Sequence, residues 1–131
     1  MNKLYDYGRN EFLKANIDWL QDTIRAVLLP ATFTPDLLTD RFLSDIPEDD
    51  WISISEPLSA KTAEAGVAGA EPTRCVAVLG PEVASLVLFM DTGLSSTSPL
   101  IAYIDVADNL PITPEGANLI IRWNSNLIFK L

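Results

Sequence analysis

Two apolar segments separated by a polar stretch constrain the fold of this chain more than any other feature. Ser85–Met90 and Leu100–Ile104 are apolar on both faces of a strand. Each therefore predicts a strand covered on both sides, either by core alone or by core on one face and a subunit interface on the other. The intervening Asp91–Pro99 has the length and composition of a hairpin loop. The two strands are predicted to pair antiparallel.

Further short strands are predicted where β-favouring residues alternate or run together between turn residues. In the first, residues 22–29, the side chains of Ile24, Ala26 and Leu28 share one face. Asn124–Asn126 predicts a turn or bulge between the last two strands. Six to eight strands are expected in all, and the segments besides the central pair are 22–29, 51–55, 75–79, 118–123 and 127–129.

Helical spacing of apolar residues predicts an N-terminal helix within residues 1–15, capped by Asn2. Its apolar stripe is Leu4, Tyr5, Phe12 and Leu13. Gly8 falls on that stripe, where the missing side chain would let the helix lie close to another backbone. The helix covers one side of the core or, alternatively, docks onto a neighbouring subunit.

A second, short helix is predicted near residues 35–43, with Thr34 as its cap and Pro35 in the first turn. The small residues of 63–70 can bury little, and they predict a mobile loop or edge strand in a monomer and an arm in an assembly. The fold class is therefore mostly β, an antiparallel β-sandwich or small β-barrel with an N-terminal α-helix and one further short helix. A single domain is expected over 1–131, with a β-rich core from 17 to 131.

Charge argues against nucleic acid as a partner. Eighteen acidic and nine basic residues give a net charge of −9, so phosphate backbones would be repelled over most of the surface. A membrane is also not expected as a partner, because the apolar runs are far shorter than the ~20 residues that span a bilayer. The first residues lack the pattern of a secretion signal, which predicts synthesis in the cytoplasm.

The residue types needed for catalysis and cofactor binding are scarce. The chain has no histidine, which removes the commonest general base and metal ligand. The single Cys75 cannot form an intrachain disulfide and is expected to be buried as a small apolar residue. The scattered glycines form no phosphate-binding loop. We therefore expect no enzyme activity, cofactor or metal site.

Two other groups of residues allow a functional and a structural interpretation. The acidic residues of 45–50 predict a solvated loop, and a calcium site there would lack the usual alternating ligand spacing. Trp19, Trp51 and Trp123 would form a sugar-binding platform if exposed together. Their wide separation in the sequence favours core or interface positions instead.

Several stretches, taken in order and spacing, resemble a family of small structural proteins of tailed-bacteriophage particles. They cover nearly the whole chain, and none is a mechanistic motif. Phe42–Pro47 is the most distinctive. The others are Leu4–Asp6 with Gly8–Arg9 and Phe12–Leu13, Ile17–Trp19, Thr23–Arg25, Leu58 with Lys61–Thr62, Gly66–Ala68, Ile101–Asp105, Leu110–Pro114 with Gly116, and Ile128–Leu131.

The resemblance implies a setting and no catalytic or binding residues. Trp51, Cys75, Met90 and a short C-terminal turn depart from the family's pattern. The expected function is a non-catalytic capsid decoration or cement protein on the outer surface of the virion, because an acidic protein suits a DNA-filled lumen badly. A tail, baseplate or head–tail joining protein is the alternative, and a carbohydrate-binding module for host attachment is the third hypothesis.

The partners expected from this setting are the major capsid protein and further copies of the chain, a trimer being one candidate state. Apolar character and position predict the interface residues. They lie in the N-terminal helix, in the 63–70 segment and at the C-terminal end, and they are Leu4, Tyr5, Phe12, Val67, Phe129 and Leu131.

Overall fold

A computed structural model describes residues 3–107, 110–123 and 127–131. Within these ranges the chain forms ten strands and one α-helix, α1 (Asp6–Leu13). The predicted cap at Asn2 and the predicted turn at 124–126 lie outside the described residues. The strands are β1 (Lys3–Leu4), β2 (Ile24–Pro30), β3 (Ser53–Ile54), β4 (Thr62–Glu64), β5 (Val67–Gly69), β6 (Thr73–Cys75), β7 (Val83–Met90), β8 (Leu100–Ile104), β9 (Leu119–Ile121) and β10 (Phe129–Lys130).

The strands form three antiparallel sheets. A five-stranded sheet has the order β1-β8-β7-β2-β3, a three-stranded sheet the order β10-β5-β4, and β6 pairs with β9. The predicted hairpin is confirmed, because β7 and β8 pair antiparallel with Val87 opposite Tyr103. The mostly β fold with an N-terminal helix is likewise confirmed, and its separate sheets are consistent with an open sandwich.

The central strands β2 and β7 are buried on both faces within the chain itself. Leu28 and Leu88 belong to a large apolar cluster that also includes residues of the two smaller sheets. Val27 and Val87 belong to a second cluster on the other face, together with Phe33 and other residues of the 31–51 segment. The apolar character on both faces of Ser85–Met90 is therefore explained by two layers of core.

Helix α1 packs closely against β8 at Gly8. A Cβ atom on Gly8 would lie 2.5 Å from the carbonyl oxygen of Leu100 and 3.0 Å from the Cα of Ile101. The sequence prediction of a close backbone approach is confirmed. The helix is shorter than predicted, because Leu4 lies in β1 and Tyr5 is its N-cap.

The second helix predicted near 35–43 is wrong. The Asp36 carboxylate accepts hydrogen bonds from the backbone N–H groups of Leu38 and Thr39, at 3.2 and 3.1 Å, and closes a single turn. Asp45 then accepts the N–H groups of Arg41 and Phe42, at 2.8 and 3.0 Å. These side chains take the donors that a continuing helix would need, and two short 3₁₀ turns follow, at Leu43–Asp45 and Glu48–Asp50.

One strand prediction also needs correction. The strand predicted at 75–79 ends at Cys75, because Ala77 adopts a φ of 48° and its N–H donates to Asn118 Oδ1 at 2.8 Å. The 63–70 segment lies in a hairpin, and the edge strand predicted there is confirmed by β4, whereas the arm predicted for an assembly stays a prediction. Its second strand, β5, is paired on both sides, and β4 lies at the edge of the sheet.

Candidate functional site

An apolar groove of about 440 Å³ opens beside the end of α1. Residues from three distant parts of the sequence line it, and the only ionisable side chain among them belongs to Asp18. The lining residues are Phe12, Ala15, Ile17, Asp18, Trp19, Leu20, Ala63, Gly66, Val67, Ala68, Phe129 and Leu131.

The first wall of the groove follows from the way α1 ends. Ala15, with a φ of 61°, reverses the chain after the helix, and the N–H of Asn16 then donates to the Glu11 carbonyl at 2.9 Å. This turn directs Ile17 and Trp19 inward, where they are 4% and 6% exposed. The Trp19 indole N–H donates to the Thr62 carbonyl at 3.1 Å and so ties this wall to β4.

The opposite wall is the β4–β5 hairpin. Its two-residue turn, Ala65–Gly66, has positive φ at both positions, 54° and 78°, as a type I′ turn requires. Strand β10 is held to the hairpin by hydrogen bonds from the N–H of Leu131 to Gly66 O and from the N–H of Ile128 to Ala68 O, at 2.9 and 2.8 Å. These bonds fix the position of β10 beside β5.

Phe129 forms the floor of the groove. Its ring contacts Trp19 edge-on with centroids 5.2 Å apart, and it lies 6.1 Å from the ring of Phe12. Ala68 lies opposite Phe129 across β5–β10, and Ala63 lies opposite Ala68 across β4–β5. Since side chains opposite each other share one face of a sheet, the two alanines continue the row that Phe129 begins. Their small side chains leave the open volume.

Four of the six residues predicted to form an interface line this groove: Phe12, Val67, Phe129 and Leu131. Leu4 and Tyr5 do not, since their side chains are enclosed by the chain's own core at 7% and 0% exposure. Tyr5 therefore offers no surface to a partner within this chain, whereas Leu4 lines a second cavity, between the N-terminal segment and β10. Sequence reasoning missed Leu20, whose exposure arises in the turn that the Asp18 carboxylate closes and is not displayed by the sequence.

Near the groove, Lys61 has polar and charged neighbours, whereas two nearby carboxylates form no ion pair. The Lys61 ammonium group donates to the Asp22 carbonyl and lies 5.9 Å from the Trp19 ring centre. Burial lowers the pKa of Lys61, opposed by the nearby Asp22 and Asp18. Asp18 and Glu64 form no ion pair with the described residues. Asp18 lines the groove, and Glu64 lies next to it in the sequence of strand β4, beside Ala63.

The three tryptophans do not form a common exposed platform. Trp19 and Trp123 are each only 6% exposed, and partly buried Trp51 packs against the other core cluster. Each indole N–H donates to a backbone carbonyl: that of Trp19 to Thr62, that of Trp51 to Ile46 and that of Trp123 to Glu71. The expectation of core positions is confirmed for Trp19 and Trp123.

Groups with chemical reactivity do not converge at the groove. Cys75 is fully buried, as expected, and burial raises the pKa of its thiol to about 11. Among the described residues no three acidic, histidine or cysteine side chains are grouped to hold a metal ion. Asp45 in the acidic 45–50 segment is engaged by backbone N–H groups. In the same ranges no helix is long and apolar enough to cross a membrane.

The fold and the groove define a mostly β, acidic domain with an open apolar groove at one end of its helix. Comparison of the sequence with protein-family models found no match, and a search of curated proteins also found none.

Proposed function

We propose that this chain is a non-catalytic structural protein of a tailed-bacteriophage particle, acting as a capsid decoration protein that stabilises the head shell. The resemblance of the sequence to small structural proteins of tailed-bacteriophage particles supports this setting. The observation that carries the structural role is the groove, which offers an apolar surface of Phe12, Val67, Phe129 and Leu131. An exposed apolar cavity without converging reactive groups suits a binding surface.

The charge of the protein supports the outside of the shell as its location. A net charge of −9 would be repelled by packaged DNA, whose phosphates dominate the field inside a filled head. The proposed partner is therefore the outer surface of the major capsid protein. Binding there stabilises the shell by adding buried area between capsid subunits.

Self-association belongs to the same proposal. Auxiliary proteins on a symmetric shell are commonly symmetric oligomers, and a trimer would match a threefold axis of the lattice. The groove and the edges of the small sheets are candidate surfaces for such contacts, because both faces of β2 and β7 are covered by the chain's own core.

Copy number in purified particles tests the proposal. Quantitative mass spectrometry of intact particles and of tailless heads should give a ratio to the major capsid protein of about one or about one-third, retained when tails are removed. A handful of copies lost with the tail would place the chain in the tail or baseplate and contradict decoration. Complete absence from the particles would refute any virion role.

A further inference from the structure

Strand β4 leaves an unpaired edge beside the groove. It is the last strand of the order β10-β5-β4, and all three of its residues, Thr62, Ala63 and Glu64, are exposed. An open edge presents backbone donors and acceptors to which an extended chain can add as a further strand. The edge and the groove share Ala63, which belongs to both.

The register of the hairpin shows which backbone groups face outward. Glu64 and Val67 flank the two-residue turn and pair with each other, and such a flanking pair exchanges both of its hydrogen bonds. In an antiparallel ladder, hydrogen-bonded residue pairs alternate with non-hydrogen-bonded pairs. The Ala63–Ala68 pair is therefore a non-hydrogen-bonded pair. The Ala68 carbonyl indeed accepts from Ile128 on the β10 side, at 2.8 Å. The N–H and C=O of Ala63 therefore point away from β5, to the open edge.

The same register fixes where an added strand would place its side chains. Phe129, Ala68 and Ala63 form one row across the sheet, and a residue opposite Ala63 would be the next member of that row. Its side chain would lie over the groove, beside Trp19 and Leu20, which also line it. A large apolar side chain at this position fills space that two alanines leave open.

The charges near β4 indicate which residues should flank the apolar residue in the added strand. Side chains alternate between faces along a strand, so the residues flanking the apolar one share a face with Glu64. Glu64 forms no ion pair with the described residues, and the whole chain carries a net charge of −9. Lysine or arginine at the flanking positions complements these charges, whereas an acidic residue would be repelled.

A second copy of this chain fits the site less well. If two β4 strands paired antiparallel about Ala63, the residue opposite Ala63 would be another alanine, which leaves the groove empty. Each Glu64 would lie opposite Thr62 of the other copy and would gain no cation. The groove left empty and the glutamates left without a cation both favour a partner other than a second copy.

We propose that β4 and the groove bind an extended segment of a basic partner protein, which adds as a strand to β4, places one large apolar side chain opposite Ala63 and flanks it with basic residues. This inference rests on the proposed assembly function in taking a protein as the occupant. It names the docking surface and the chemistry of the segment that binds there.

Binding of a defined peptide tests it. The probe is a capped, fluorescein-labelled peptide in which lysine alternates with valine around a central leucine, and the readout is fluorescence anisotropy with the full chain. The lysine peptide should bind with a measurable Kd that rises with salt. The same peptide with glutamate in place of lysine should bind at least about ten-fold more weakly. No binding of the lysine peptide would overturn the proposal.

Two variants of the chain locate the binding. Ala63→Pro removes an outward N–H that takes no part in the β4–β5 ladder, so the hairpin is retained while the Kd rises about 5- to 10-fold. Glu64→Lys should weaken binding by about 5-fold or more. Its matched control is Glu48→Lys, which makes the same change in net charge at an exposed residue of a 3₁₀ turn away from the groove and should leave the Kd unchanged.

Three further outcomes test the docking surface, its occupant and the proposed function separately. Equal binding to Glu64→Lys and to Glu48→Lys would overturn the docking surface even if Ala63→Pro failed to fold. Self-association of the unmodified chain in sedimentation, lost in Ala63→Pro, would make a second copy the occupant and overturn the basic partner. Peptide binding by a chain that is absent from phage particles would refute the proposed function and leave the docking surface standing.

Discussion

Replacing Gly8 by alanine should destabilise the protein, although alanine is the better helix former. The new Cβ would lie 2.5 Å from the Leu100 carbonyl oxygen, where unstrained contacts are about 3.3 Å. The helix would have to retreat by roughly 0.8 Å from a β8 backbone that is paired on both sides. Overpacking of this kind costs about 1–3 kcal/mol after relaxation, and it opposes the gain of about 1 kcal/mol in helix propensity that the same change brings.

Because the clash is with backbone atoms that cannot rotate away, the upper part of that range, about 2–3 kcal/mol, applies. Subtracting the gain in helix propensity leaves a net loss of about 1–2 kcal/mol, which lowers Tm by roughly 3–8 °C for a domain of this length. Thermal and urea unfolding followed by circular dichroism measure it. The control is Asn10→Ala, an exposed position of the same helix, which should be neutral or slightly stabilising. If Gly8→Ala were at least as stable as the unmodified protein, the close packing of α1 on β8 would be refuted.

Three further predictions concern the turn, the core and the thiol. Ala65→Asn should raise stability by about 0.5–1 kcal/mol, because Ala65 has a φ of 54° that asparagine tolerates better in a type I′ turn, and Ala65→Val should lower it in the same unfolding assay. Leu88→Ala, at a fully buried position, should cost about 2–5 kcal/mol, whereas Leu94→Ala, at 64% exposure, should cost little. Cys75 is buried with its thiol pKa raised to about 11, so its thiolate is scarce at pH 8 and Ellman's reagent should react slowly until the protein unfolds. Rapid stoichiometric labelling of the native protein would contradict that placement.

The sequence predicted the central hairpin and the first strand because their apolar residues are contiguous and bounded by turn residues. In β2, Ile24, Ala26 and Leu28 all belong to the large cluster, as the alternation indicated. The close backbone contact at Gly8 was also predicted, since a glycine on an apolar helical stripe indicates such a contact. These features depend on short-range patterns, which a single sequence displays directly.

The prediction of a second helix was wrong because a side chain competes with the helix for backbone N–H groups. Thr34 and Pro35 begin a helix in many sequences, but the Asp36 side chain takes the N–H groups of Leu38 and Thr39. Aspartate near a helix start can either cap it or close a turn. Neither spacing nor composition distinguishes these outcomes.

The groove could be predicted only in part, because its shape depends on registers that the sequence does not display. Phe12, Val67, Phe129 and Leu131 were chosen for their apolar character, and the structure brings them together. That Phe129 lies in one row with Ala68 and Ala63 follows from two strand pairings. A shift of one residue in either pairing would turn the alanines to the other face and remove the row.

The covered faces of the central sheet limit how this protein can assemble. Apolar strands such as β2 and β7 could in principle have one face in an interface, but the 31–51 segment covers one face and the smaller sheets cover the other. Contacts that stabilise an assembly must then come from surfaces other than these two faces, such as the edges and ends of the fold. Leu13 and Leu20, 82% and 49% exposed, belong to the helix end and the turn beside the groove. Since burying each leucine contributes about 1.5–3 kcal/mol, a partner strand on β4 that also covered Leu20 would gain affinity without any change in the core.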